Sequence, residues 1–315
     1  MTGSERQRAQ MSAAEFADLF DALSTWGRWG EEDERGSLHH ISEDTVAAAA
    51  ALVQDGRTIG LSRPLDTRVS PHNSVPADHH MTMLVGDNSG PGSLGFTMDY
   101  VGVDYHHESH SHLDALCHTS YGGSLYNGFQ TVDTVTEGGA AELSVETLKH
   151  GLVGRGVLLD VPPLRDRTWL EPGDGVFRDD LEAAERSQGV TVGGGDILLV
   201  RTGYAQRLEE LGDSADDGSV AGMHPTAMTF IADRHVSALG SDGNSDIAPN
   251  PTEGVAFPIH VLALNAMGVH LLDYLTFEDL REACASAGRW DFLFVAAPLR
   301  ISGGTGSPIN PIAIL

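Results

Sequence analysis

Short apolar runs alternating with helix-like stretches constrain this chain more than any other feature. Gly156-Val-Leu-Leu-Asp160-Val161, Asp196-Ile-Leu-Leu-Val-Arg201 and Val236 to Gly240 each suit a buried strand, and Asp291 to Ala297 reads as a fourth. Between them Phe177 to Gln188, Pro225 to Arg234 (Pro in its first turn) and Thr276 to Ala287 read as helices. Upstream, Phe16, Leu19, Phe20 and Leu23 recur at helical spacing over Met11 to Leu23. Ser42 is a plausible N-cap for a helix running to Gln54, with Glu43 and Asp44 at its positive end. Ile59 to Leu61 suits a short strand, and Asp66 to Gly95 reads as long loops around one strand, Met81 to Val85. With no linker-like segment and no repeat, the expectation is one α/β domain over residues 1–315, with 1–25 as an N-terminal helical extension.

The charge excludes partners. The 45 acidic and 19 basic residues give −26, and the only Lys is Lys149. Phosphate binding needs clustered Lys and Arg, so nucleic acid is not an expected partner, nor is an anionic membrane surface. Met1 to Ala14 lacks the apolar core of a signal peptide, and the longest alanine-rich run, Val46 to Val53, falls short of the ~20 residues that span a bilayer. Cys117 and Cys284 form no Cys-x-x-Cys pair. A reduced, cytoplasmic setting is the expectation.

Chemistry concentrates in one segment. Five of the 15 histidines fall within Asp104-Tyr-His106-His107-Glu108-Ser-His110-Ser-His112-Leu-Asp114-Ala-Leu-Cys-His118. If His110 to Asp114 is extended, alternation points His110, His112 and Asp114 the same way, a set able to ligate a divalent ion such as zinc or manganese. His118, four residues past Asp114, can return as a further ligand or as a general base beside an activated water. The adjacent His106 and His107 cannot both face one ion from a strand. Histidine-rich tracts can also bind metals adventitiously, but this spacing with Asp114 favours a built site.

His112-Leu-Asp114-Ala-Leu-Cys-His118 resembles the His-x-Asp-x-x-x-His core of the cyclase-like metal-dependent hydrolases, a family that includes bacterial kynurenine formamidase and isatin hydrolase. Gly156 to Asp160, Gly195 to Gly203, Gly240-Ser-Asp242, Pro258-Ile-His260 and Thr305-Gly-Ser-Pro308 extend the likeness over most of residues 25 to 315. The resemblance implies a swivelling β/β/α fold, dimers or tetramers, and a divalent metal, Zn or Mn. It places metal ligands at His112 and Asp114, the catalytic or second-metal histidine at His118, and a late metal-site histidine at His260. Two positions depart from the pattern. Glu108 stands where a ligand His is usual, leaving His110 or Glu108 itself to substitute. Asp273 aligns with the family's late metal-site Glu.

Outside the cluster, Asp242 and Asp246 follow a strand, where active-site loops of α/β sheets gather, although Asp, Asn and Gly also favour turns. Arg201 can receive a substrate carboxylate or form a structural salt bridge. Trp26, Trp29 and Phe257 can line an aromatic pocket or pack in the core. No Gly-x-Ser-x-Gly is present, so a serine hydrolase has no footing. The reading is a metal-dependent hydrolase of a small-molecule amide, lactam or lactone. The alternatives are a metal-dependent cyclase or dehydratase of secondary metabolism and a metal-binding protein without catalysis.

Overall fold

A computed structural model describes residues 10–85, 91–212 and 219–315; residues 1–9 of the expected N-terminal extension and 86–90 of the expected 66–95 loop lie outside these. A nine-stranded sheet organises the chain. Its strands are β1 (Thr58–Gly60), β4 (His112–Asp114), β5 (Leu152–Asp160), β6 (Ile197–Arg201), β7 (Ala238–Ser241), β8 (His270–Asp273), β9 (Asp291–Ala296), β10 (Gly306–Pro308) and β11 (Ile312–Ile314). Their order is β1-β11-β9-β5-β6-β7-β8-β4-β10. The central four, β5 to β8, are mutually parallel, and antiparallel neighbours flank them on both sides. Outside this sheet, strands β2 (Asp78–Met83) and β3 (Met98–Gly102) form a separate hairpin.

Three of the four apolar runs are central strands, β5 to β7, where helices cover the sheet and consecutive side chains are buried; the fourth, β9, is antiparallel and alternates buried with half-buried residues. Val157, Leu158, Leu159, Ile197, Leu198 and Leu199 are each fully inaccessible. Burial of each contributes on the order of 1.5–3 kcal/mol. Helix α1 (Ala13–Leu23) begins at a Ser12–Glu15 capping box and buries Phe16 and Leu23. Helix α2 (Glu43–Ala50) starts at the Ser42 cap and is shorter than expected. The 66–95 expectation needs the larger correction, since β2 begins at Asp78 and pairs with β3, which the sequence reading did not contain. The Gly/Pro-rich stretch from Ser302 to Pro311 also enters the sheet, as β10, and β11 follows it. Among the described residues no helix is long and apolar enough to cross a membrane.

His270 on β8 is fully buried, and neither ring nitrogen is hydrogen-bonded to the protein. Burial pushes its pKa down to about 4, with Asp114 opposing. The unfolded chain therefore takes up this proton near the usual histidine pKa and the folded chain only near 4. Stability from this group is complete above about pH 6.5 and is lost as pH falls toward 4, by about 3 kcal/mol. Urea unfolding at pH 7 and pH 4.5 should show His270→Leu losing less stability than the parent, by roughly this amount. Equal losses would show that His270 is not the group responsible.

Candidate metal centre

The antiparallel junction of β8 and β4 builds the centre. Asp273, at the carboxyl end of β8, lies opposite His112, and Leu271 lies opposite Asp114. On the other side of β4, Gly306 of β10 lies opposite Asp114. A Cβ at Gly306 would sit 2.2 Å from the Leu113 carbonyl oxygen and 3.0 Å from the His106 ring, so only glycine permits this approach. Beyond β7 the loop Asp242 to Asp246 crosses the same end of the sheet, the usual position for sites in α/β folds.

Asp114 is the focus. It is fully inaccessible, and neither carboxylate oxygen accepts a well-formed hydrogen bond. Four imidazole nitrogens surround it: His106 Nδ1 at 2.9 Å, His112 Nε2 at 3.6 Å and His118 Nε2 at 4.0 Å from Oδ1, and His260 Nε2 at 3.5 Å from Oδ2. His260 Nε2 is also 3.5 Å from Asp273 Oδ2. Two donor groups converge, one of His106, Asp114 and His118, the other of His112, Asp114 and Asp273, sharing Asp114.

Outer contacts aim the inner atoms. His112 Nδ1 meets the His110 carbonyl at 2.8 Å, and His260 Nδ1 meets Asp246 Oδ2 at 2.6 Å, leaving each Nε2 turned inward. His106 Nε2 lies 3.0 Å from Thr305 Oγ1, which directs Nδ1 inward. Ser245 Oγ donates to Asp273 Oδ1 at 2.6 Å. Partners on the far nitrogen are what metal-ligating histidines use to fix tautomer and ring orientation.

Electrostatics follow. Burial would raise the Asp114 pKa, but His112, His106, His118 and His260 outweigh it and hold the carboxyl below its usual range. Burial raises Asp273; His260 opposes this and Asp114 adds to it. Burial pushes His118 down to about 4 although Asp114 pulls the other way, so its imidazole is neutral at pH 7. For His260 burial is outweighed by Asp246, Asp273 and Asp114, which bring it to about 9 in the protein alone.

These residues fit a divalent ion. A buried carboxylate with no aligned donor is costly unless a cation compensates it. Ligands ~2.0–2.2 Å from an ion stand roughly 3–3.6 Å apart, a spacing that most of the inner atoms have. Histidine nitrogen and carboxylate oxygen suit zinc and manganese alike.

Of the residues expected as ligands, the structure brings His112, Asp114, His260 and Asp273 together, with His118 beside them. His110 departs. Strand geometry begins only at His112, so the alternation that would align His110 with Asp114 does not operate, and its Nε2 faces the Val75 carbonyl at 3.3 Å. His106 occupies the space instead. The 104–111 segment is a run of turns, which swings this ring back onto the His118 ring, stacked at 3.9 Å. Of the adjacent pair only His106 turns inward, and it does so from turns, not from a strand. His107 pairs outward with Asp104, and Glu108 is exposed.

Arg201 is a structural cation. It is 1% exposed and donates to Asp160 at 2.8 Å, to Glu278 and to Gln206. Breaking such a buried network costs about 3–5 kcal/mol, because Asp160 is left uncompensated. Arg201→Leu should therefore lower unfolding stability by that amount, read by urea denaturation. A raised KM at unchanged stability would restore a substrate role. Asp242 is structural too, accepting from Thr202, Gly203 and Tyr204 at the start of the next helix. Of the aromatic trio, Phe257 lies 5.6 Å from the His260 ring and is 53% exposed. Trp26 bonds the Asn265 carbonyl and edges onto Phe20, and Trp29 stacks on His39, none of these being a donor to the centre. Burial raises the Cys117 thiol to about 12, which leaves it unreactive.

A family model described as "Putative cyclase" matches residues 59–247. A solved structure described as a novel cyclase is 31% identical, with a TM-score of 0.83 over 94% of this chain and 99% of that one. An isatin hydrolase bound to the product analogue thioisatinate is 20% identical, with a TM-score of 0.57 over 87% of this chain and 99% of that one. A predicted metal-dependent hydrolase from Bacillus stearothermophilus is 17% identical, with a TM-score of 0.51 over 82% of this chain and 98% of that one. The last two likenesses are of fold. No curated protein matches the chain at a significant level. A family model spanning more than half the sequence, with a 31%-identical structure matching 94% of it, makes this chain a member of the cyclase family.

Proposed function

We propose that the protein is a metal-dependent hydrolase that opens an amide, lactam or lactone of a small molecule. The carrying observation is Asp114, buried, without an aligned donor and ringed by four imidazoles. His112, Asp114, Asp273 and His260 would hold the ion, and His106 and His118 form the second donor group that shares Asp114. When bound, a divalent ion supplies Lewis acidity toward a carbonyl oxygen and toward water. Asp246 holds Nδ1 of His260 and the His110 carbonyl holds Nδ1 of His112, so both rings turn Nε2 inward, and a bound ion would take the place of the His260 Nε2 proton. His118 is the general base: its side chain is 28% exposed and its imidazole is neutral. It takes a proton from the attacking water and returns it to the leaving nitrogen or oxygen as the C–N or C–O bond breaks. Phe257 offers an apolar surface beside His260. The likeness to isatin hydrolase supports a lactam among the substrates to be tried first.

The test is metal analysis of the purified protein followed by a screen of N-formyl aromatic amines, isatin-like lactams and lactones in ¹⁸O-labelled water. One labelled oxygen in the new carboxylate is the expected result. Turnover without label would assign the same centre to cyclisation or dehydration, and a metal-loaded protein inert toward every class would overturn the hydrolase reading.

A further inference from the structure

Half-buried Arg63 follows β1, and its guanidinium has no carboxylate partner among the described residues. It donates instead to two backbone carbonyls, of Asp242 at 2.9 Å and of Glu108 at 3.4 Å. Asp242 opens the loop whose Ser245 and Asp246 hold Asp273 and His260. Glu108 lies in the turns that bring His106 to Asp114 and lead into His112. The Arg63 backbone N–H donates to Ser111 Oγ at 2.9 Å, and that hydroxyl donates to the Tyr274 carbonyl at 2.6 Å. Tyr274 directly follows Asp273 and has φ +56°, a left-handed conformation that a bulky residue keeps only where its surroundings hold it. Its N–H donates to the Gly243 carbonyl at 3.0 Å. Its ring centroid lies 5.5 Å from Arg63 Cζ and 6.0 Å from the His112 ring, and Tyr204 takes another contact with the guanidinium at 5.2 Å.

We propose that Arg63 is a positioning residue for the centre, tying together the three segments that carry or aim His106, His112, His260 and Asp273. This rests on the centre being a divalent-ion site. The sheet itself pairs only 112–114 with 271–273, so the 104–111 and 242–246 segments need another link to it. Left to move separately, they would have to be ordered when an ion arrives, and that entropy cost would weaken binding. Arg suits the task because its planar fork offers several donors in fixed directions while its face lies against aromatic rings. Charge gives the rival account, and it has the opposite sign. A cation beside a divalent ion repels it, so on charge alone removing Arg63 would tighten metal binding. Removing a link between ligand-bearing segments would loosen it.

Zinc competition against a chromophoric chelator tests this. Arg63→Met should bind zinc about 10–100-fold more weakly than the parent, the usual effect of losing an outer partner of metal ligands. Arg155→Met is the control for general destabilisation. It removes another half-buried guanidinium, from Asp291 and from Asp196 at the amino end of β6, and should leave zinc affinity unchanged. Hydrogen exchange on the metal-free proteins follows the same link without the ion. The amides of His110, Ser245 and Tyr274 should exchange roughly 10-fold or more faster in Arg63→Met, with those of β5 and β6 at the parent rate. Zinc affinity equal to or tighter than that of the parent would overturn the proposal, as would exchange that is unchanged or that quickens uniformly over the sheet. A raised KM at unchanged zinc affinity would overturn it by giving the guanidinium to substrate. A parent protein that takes up no metal would defeat the hydrolase reading, and the exchange comparison would still decide whether Arg63 orders these segments.

Discussion

Asp114→Ala should abolish metal loading. The carboxylate belongs to both donor groups, so removing it breaks each at once. For the parent protein, a ligand at 100 times its Kd stabilises the fold by about 2.7 kcal/mol. Added zinc or manganese should therefore raise the thermal midpoint of the parent and leave that of the variant unmoved, with hydrolysis reduced to background. Folding is not expected to suffer, because the side chain lost is a desolvated charge without aligned donors rather than a packing element. Metal content by elemental analysis gives a readout separate from turnover. A variant that still holds stoichiometric metal would remove Asp114 from the ligand set.

His118→Ala should lower kcat by about 10²–10⁴-fold, the usual contribution of a positioned proton acceptor. Metal content should stay near that of the parent, because the group of His112, Asp114 and Asp273 is untouched and His260 remains beside it. Added imidazole should restore part of the rate, since the cavity left beside the His106 ring can admit a free base. A variant with full activity would end the catalytic assignment. If metal is lost in parallel with activity and imidazole rescues neither, His118 is a ligand and not the base.

How legible the site was depended on backbone regularity. His112 and Asp114 could be paired from sequence because they lie on a real strand, where side chains two apart share a face. The same rule misplaced His110, two residues earlier, because the chain is still turning there. It hid His106 for the converse reason: turns let a ring eight residues from Asp114 reach its carboxylate at 2.9 Å. Asp246 was noticed as a loop residue after a strand, but its hold on His260 spans 14 residues and two elements. Ser245 carried no signal at all. Arg201 stood undecided between substrate and salt bridge, since its partners Asp160 and Glu278 come from segments 41 and 77 positions away.

The fold divides along the same line. Consecutive apolar residues mark β5, β6 and β7, because the covered sheet leaves little of them wet, and that pattern is local. The hairpin strands lack a buried face, and the C-terminal strands are short and form only through partners elsewhere, as β10 does against β4. By itself the sequence determined the α/β class, the central strands and a His/Asp cluster suited to a divalent ion, all consequences of short-range periodicity and composition. Only the tertiary structure decided which imidazoles face Asp114, that Arg201 is buried in an ion network, and that Arg63 joins the Glu108 and Asp242 backbones. Those outcomes depend on contacts between residues far apart in the chain, whose pairing no local pattern encodes.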